Sequence, residues 1–213
     1  MYIYNTKNNM EKANESLQRM RRGLDLIKED EKIGEAFKLA NKAMYDQQTR
    51  PANKRLIINN ESLKDREFSE KYKENEKGSR TPTWRPFQLG FILLNIEPLV
   101  NEESEYRDCV DLLWFPTGGG KTEAYLGLTA FNLFYRRLMN PDDSGTAVIT
   151  RYTLRLLTAQ QFERSAKLLC SMENMRRSRD DLGIAEFSIG IWVGGEVTPN
   201  TYNQAKDNLS GMI

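Results

Sequence analysis

The chain has 213 residues, with 31 Lys+Arg against 30 Asp+Glu, a net charge of +1 and no histidine. A length of this order holds one large domain or two small ones, and a near-neutral total excludes a uniformly basic nucleic-acid protein. The missing histidine excludes more, since no histidine triad, histidine metal ligand or histidine pH switch can be built.

Charge is unevenly spread along the chain. Residues 1–80 carry 18 Lys+Arg against 14 Asp+Glu and no tryptophan, while 81–213 carry 13 against 16 and all three tryptophans. A helical N-terminal region with its linker (1–80) and a second region (81–213) are expected, meeting between residues 80 and 84. Met10, Ala13, Leu17, Met20, Leu24 and Ile27 recur at steps of three and four, which predicts a helix over 9–28. Ile33, Phe37, Ala40 and Met44 repeat the pattern after Glu29-Asp30-Glu31 and predict a helix over 32–47. Beyond Gln48 the apolar pattern thins around Pro51, Asn59-Asn60 and Gly78-Ser79, as in a mobile or partner-dependent linker reaching Arg80.

The second region alternates. A buried helix over 87–94, with Pro86 suited to its first turn, precedes an apolar strand over 109–114. Ala124, Leu128, Phe131, Tyr135 and Leu138 mark a helix from Lys121. A strand over 146–150 leads to a long helix with Phe162, Ala166, Leu169 and Met172 on one face. A third strand is expected over 188–193, and Pro199 near a Thr198 cap opens a last helix. Strand–helix alternation predicts a parallel α/β sheet. Cys109 and Cys170 form no CxxC pair, which argues against a zinc site or disulfide framework and fits a reducing cytosol. No apolar run approaches the roughly 18 residues of a membrane helix. Residues 1–5 do not read as a signal peptide, so a cytoplasmic protein without membrane contact is expected.

The informative stretch is Thr117-Gly118-Gly119-Gly120-Lys121-Thr122, placed after an expected strand and opening a helix. Three glycines let the backbone curl so that several N–H groups share one concavity. The helix start adds its positive dipole end. In such a loop the Lys121 ammonium reaches the β- and γ-phosphates and the Thr122 hydroxyl ligates Mg²⁺. The alternative is a glycine-rich turn whose lysine faces solvent. Phe115 stands where the eight-residue Walker pattern has glycine, and Pro-Thr-Gly-x-Gly-Lys-Thr resembles motif I of superfamily 2 helicases.

Three neighbours point the same way. Trp84-Arg85-Pro86-Phe87-Gln88 resembles the Q-motif of that superfamily, in which Gln88 would read adenine, beside Arg85, with Trp84 or Phe87 stacked on the base. A glutamine amide can pair with adenine N6 and N7; equally, Gln88 can be a polar residue on a buried helix. The stretch 150–161, with Thr150, Arg151, Arg155 and Gln160, looks like motif Ia, whose donors grip nucleic-acid phosphates. An ordinary solvated helix start is the other reading. Gly194-Gly195 resembles the motif Ib region, and a plain turn explains it as well. The stretches 36–44, 84–88, 113–126 and 150–162 are together similar to the large helicase of the DISARM anti-phage defence system.

That resemblance implies an incomplete RecA-like parallel sheet preceded by helices. It also implies ATP and Mg²⁺ as cofactors, single-stranded or overhanging DNA as partner, and a companion protein of the same defence system. Hydrolysis needs an acidic pair after a further strand. Glu29-Asp30, Glu102-Glu103, Asp142-Asp143 and Asp180-Asp181 all fall in loops or helix ends. The chain therefore reads as the first part of an ATP-dependent helicase, one that binds Mg-ATP without turning it over alone. Two other readings are a P-loop kinase, with Arg176-Arg177-x-Arg179 as its lid, and a non-enzymatic interaction module built on the N-terminal helices.

Overall fold

The computed structural model describes residues 2–58, 82–116, 118–152, 155–192, 199 and 201–210. Six helices fill most of them: α1 (Tyr2–Glu29), α2 (Glu31–Ile58), α3 (Pro86–Val100), α4 (Lys121–Met139), α5 (Arg155–Arg176) and α6 (Tyr202–Ser210). A 3₁₀ turn, Asp180–Leu182, follows α5. The acidic break ends α1 where the sequence indicated: Asp30 Oδ1 accepts the Ile33 N–H at 2.9 Å and so satisfies a donor of α2's first turn. α2 then continues through Pro51 to Ile58, past the end expected at residue 47. The expected linker beyond it lies outside the described residues. At α6 the hydroxyl of Thr201 accepts the Gln204 N–H, which is the capping role expected of Thr198, a residue outside the described ones.

One apolar core joins the N-terminal helices to the rest. Ala36, Ala40 and Ala43 are fully or almost fully buried, and these small side chains let α2 lie close along α4. There they meet Phe131 and Phe134, both at 0% exposure. Ile92 and Ile96 enter from α3, and Leu168, Leu169 and Met172 from α5. α1 packs along α3, and at their crossing a methyl group on Gly23 would stand 2.0 Å from the Leu93 carbonyl oxygen.

The expected RecA-like parallel sheet is not there. Among the described residues no strand forms, and 109–116, 146–152 and 186–192 follow irregular backbone. An apolar run predicts burial but not pairing, and a strand exists only through its ladder partner. Here helix side chains hold these segments in place of a ladder. Arg19 of α1 binds Asp111 with two hydrogen bonds of 2.9 and 2.8 Å. Arg136 of α4 chelates Asp143 and reaches the Thr146 carbonyl. Arg137, buried at 3% exposure, donates to the carbonyls of Asp143, Leu182 and Ala185. Glu173 of α5 accepts the Phe187 N–H. Val110, Trp114 and Ile149 are left 96%, 88% and 88% exposed, which is incompatible with the interior of a covered parallel sheet.

Two consequences are measurable. Gly23→Ala is expected to lower the unfolding free energy by about 1–3 kcal/mol through overpacking at the α1–α3 crossing, read by urea denaturation; an unchanged midpoint would contradict the crossing. Hydrogen bonds from Arg176, then the Phe187 N–H and Arg177, hold the Glu173 carboxyl at about 2 against the opposing effect of burial, well below its ordinary 4.5. Its stabilising contribution is complete above pH 4.5 and is lost as pH falls toward 2. Glu173→Gln should flatten the acid-unfolding curve across that window.

Candidate nucleotide site

The phosphate-loop candidate takes its shape from two glycines. Gly118 and Gly120 have φ of +78° and +93°, a region that side chains with a Cβ rarely enter. The Gly119 N–H closes a turn onto the Pro116 carbonyl at 3.1 Å. α4 then starts at Lys121 with Gly120 as its cap residue and no side chain capping it. The N–H groups of the first helical turn have no partner within the helix. Thr117 lies outside the described residues.

Three side chains hold the loop's carbonyls. Arg85 Nη1 donates to Gly119 O at 2.7 Å, and Gln88 Nε2 donates to Gly120 O at 2.7 Å. Lys121 Nζ folds back onto Phe115 O and Pro116 O at 2.5 and 3.2 Å. No peptide bond in the described chain is cis, and in a trans peptide the C=O and the following N–H point in opposite directions. With the carbonyls of Gly119 and Gly120 turned toward α3, the N–H groups of Gly120 and Lys121 face away from it. The start of α3 thereby aims two donors at the side where the helix dipole is positive.

The sequence-derived roles divide on this geometry. Gln88 is 4% exposed and both ends of its amide are engaged, since Oε1 also accepts the Arg85 N–H at 2.8 Å. Trp84 donates from Nε1 to Asn41 Oδ1 of α2 at 2.6 Å, and its ring lies against Gly127 of α4, so it is a packing residue between two helices. Phe87 stacks on Phe115 with centroids 3.7 Å apart, and Phe115 covers the Cα of Gly119. Of the two aromatic candidates, Phe87 is thus the one beside the loop.

Thr122 lines a cleft of about 530 Å³ between α4, α5, residues 143–150 and residues 186–192. Thr150 lines the same cleft and is exposed, as are Arg151 and Gln160. Gln161, its neighbour, is 9% exposed, and its Oε1 is buried without a hydrogen-bond partner. The side chain of Arg155 and both Gly194 and Gly195 lie outside the described residues. Arg176 is engaged by Glu173 of its own helix and the Gly183 carbonyl, and Arg179 by Asp181 and by Glu35 of α2, so neither is held as a lid. Sequence reasoning missed Asn41 and the pair Glu123–Arg164, and noted Phe115 only as a departure from the Walker pattern. Only Glu123 carried a signal, as a charge placed directly after Lys121-Thr122. Among the described residues no group of three acidic or cysteine side chains is arranged to hold a metal ion, and no helix is long and apolar enough to cross a membrane.

No family model matches the chain, and no solved structure matches it. It is 44% identical over 201 residues to the DISARM protein DrmA of Bacillus paralicheniformis. The match takes in 91% of this chain and 17% of that relative, so the chain spans about a sixth of the relative's length.

The clasp and the base-reading role of Gln88 give different outcomes. As a clasp on the Gly120 carbonyl, Gln88 orients the loop, and if the loop takes a nucleotide, Gln88→Ala is expected to weaken Mg-ATP and Mg-GTP alike, by roughly five- to tenfold for one lost buried hydrogen bond. Calorimetric titration with both nucleotides checks it, and a loss confined to ATP would return the amide to adenine recognition.

Proposed function

We propose that this chain is the nucleotide-binding part of an ATP-dependent DNA helicase or translocase acting in DISARM anti-phage defence, with ATP and Mg²⁺ as cofactors. The observation that carries the reading is the loop itself. Two left-handed glycines lead into an uncapped helix start at Lys121-Thr122. The peptides before it are held so that their N–H groups point away from the bound carbonyls. This donor set suits a polyphosphate: backbone N–H groups, one ammonium and one hydroxyl, with the one carboxylate of the first turn, Glu123, paired to Arg164. The likeness to a DISARM protein supports the defence setting.

In this reading the ammonium of Lys121 leaves the carbonyls of Phe115 and Pro116 for phosphate oxygens, a stronger charge-assisted pairing. Thr122 supplies a hydroxyl ligand to Mg²⁺, which when bound neutralises phosphate charge. Phe87 and Phe115, stacked beside the loop, would offer the base an aromatic surface. DNA phosphates meet Thr150, Arg151, Arg155 and Gln160, with Gly194 and Gly195 as further backbone contacts. A companion protein of the same defence system is a partner of the whole protein. The kinase reading loses the lid it required, because Arg176 and Arg179 are ion-paired elsewhere.

Lys121→Ala should raise the Kd for Mg-ATP at least about tenfold, the scale of one charge-assisted contact, while leaving the melting temperature within a few degrees. Adding single-stranded DNA should shift the Mg-ATP affinity of the unsubstituted chain. Unchanged affinity in Lys121→Ala would remove the loop from nucleotide binding. Binding that ignores DNA would favour a small-molecule phosphotransferase.

A further inference from the structure

Glu123 follows Thr122 in the first turn of α4. A methyl group on Gly120 would approach the Glu123 Oε2 to 3.3 Å, so this carboxylate lies directly against the loop. Its other oxygen is bound by Arg164 Nη2, from α5. The two side chains are 24% and 36% exposed. Arg164 is anchored in turn, since its main-chain carbonyl accepts Gln47 Nε2 of α2 at 3.0 Å, and Gln47 is 8% exposed. One arginine therefore joins the first turn of the loop's helix to α5.

A carboxylate in this position opposes the rest of the site. The N-terminus of α4, Lys121 and the turned peptides all favour negative charge, and a free Glu123 would both repel a polyphosphate and compete for Lys121. We infer that Arg164 is a positioning residue of the phosphate loop, acting through Glu123: it neutralises the carboxylate that lies against Gly120 and ties the first turn of α4 to α5. This rests on the nucleotide-binding reading. The effect is signed. Loss of Arg164 exposes the carboxylate, whereas loss of Glu123 leaves an arginine beside the phosphates and costs no affinity through charge.

The test is calorimetric titration of the 213-residue chain with Mg-ATP, with thermal unfolding of each variant alongside. Arg164→Gln is expected to weaken binding about tenfold, more at low salt than at high salt. Glu123→Gln should stay within about twofold of the unsubstituted chain or bind more tightly, and the double variant should return to within about twofold of it. Arg164→Met, which keeps the apolar stem, carries the same expectation if Arg164→Gln does not fold. Equal losses in both single variants without rescue, as from an ordinary structural ion pair, would overturn the inference. Failure of the unsubstituted chain to bind Mg-ATP would instead sink the nucleotide reading. Binding by that chain with Arg164→Gln and Arg164→Met unaffected overturns this inference alone.

Discussion

The planarity of the peptide bond is the constraint on which the loop depends. Whatever holds the carbonyls of Gly119 and Gly120 also decides where the next N–H groups point. Arg85 and Gln88 hold them from the start of α3. That start is fixed by other parts of the chain. Trp84 hangs from Asn41 on α2, and the α3 backbone is in contact with Gly23 on α1. Ile92 and Ile96 are buried in the common core. The N-terminal helices therefore belong to the frame of the loop. The donors of Gly120 and Lys121 are connected to α1 and α2 through the two hydrogen bonds from the start of α3.

Much of this was legible in the residues, and the rest was hidden for definable reasons. The helices α1, α2, α4 and α5 follow from apolar steps of three and four, since burying one face is a local property that spacing records, and α3 from a short apolar run opened by Pro86. The glycine pair, the lysine and the threonine are equally local, because a positive φ is a demand on a single residue. The sheet was misread because pairing is not local. Residues 109–114 and 146–150 have the composition of strands, yet Asp111 and Asp143 are fastened by Arg19 and Arg136 from helices that are distant in sequence or preceding. Gln88 shows the same limit at one residue. Its position near the loop was readable, but the direction of its amide depends on a carbonyl 32 residues away.

Arginine does most of the long-range fastening, and the geometry explains the choice. Arg19, Arg136 and Arg137 each reach two or more oxygens from one planar fork, which a lysine ammonium on a flexible stem does with less pre-organisation. Arg137 is the extreme case. It is almost fully buried and meets three carbonyls and the face of Phe187 at 4.9 Å, without a carboxylate in hydrogen-bond contact. Burial lowers its pKa first, and the neighbouring Arg176 adds to that effect. Carbonyl oxygens can hold such a cation only when several converge. The segments 140–145 and 182–187 converge because the guanidinium gathers them.

Lys121 completes the argument about the loop. Its ammonium is bound to two carbonyls of the same loop, so a polyphosphate would have to exchange partners with them. The exchange is uneven along the loop. The carbonyls of Gly119 and Gly120 remain tethered by α3, which preserves the direction of the Gly120 and Lys121 N–H groups, while Phe115 and Pro116 lose the cation that holds their carbonyls. Any rearrangement is therefore directed to one end, where Phe115 stacks on Phe87 and covers Gly119. The helix end of the loop is fixed by α3, and its entry end is closed by the Gly119–Pro116 turn and the Phe87–Phe115 stack, so a change of partner at Lys121 bears on the entry end alone.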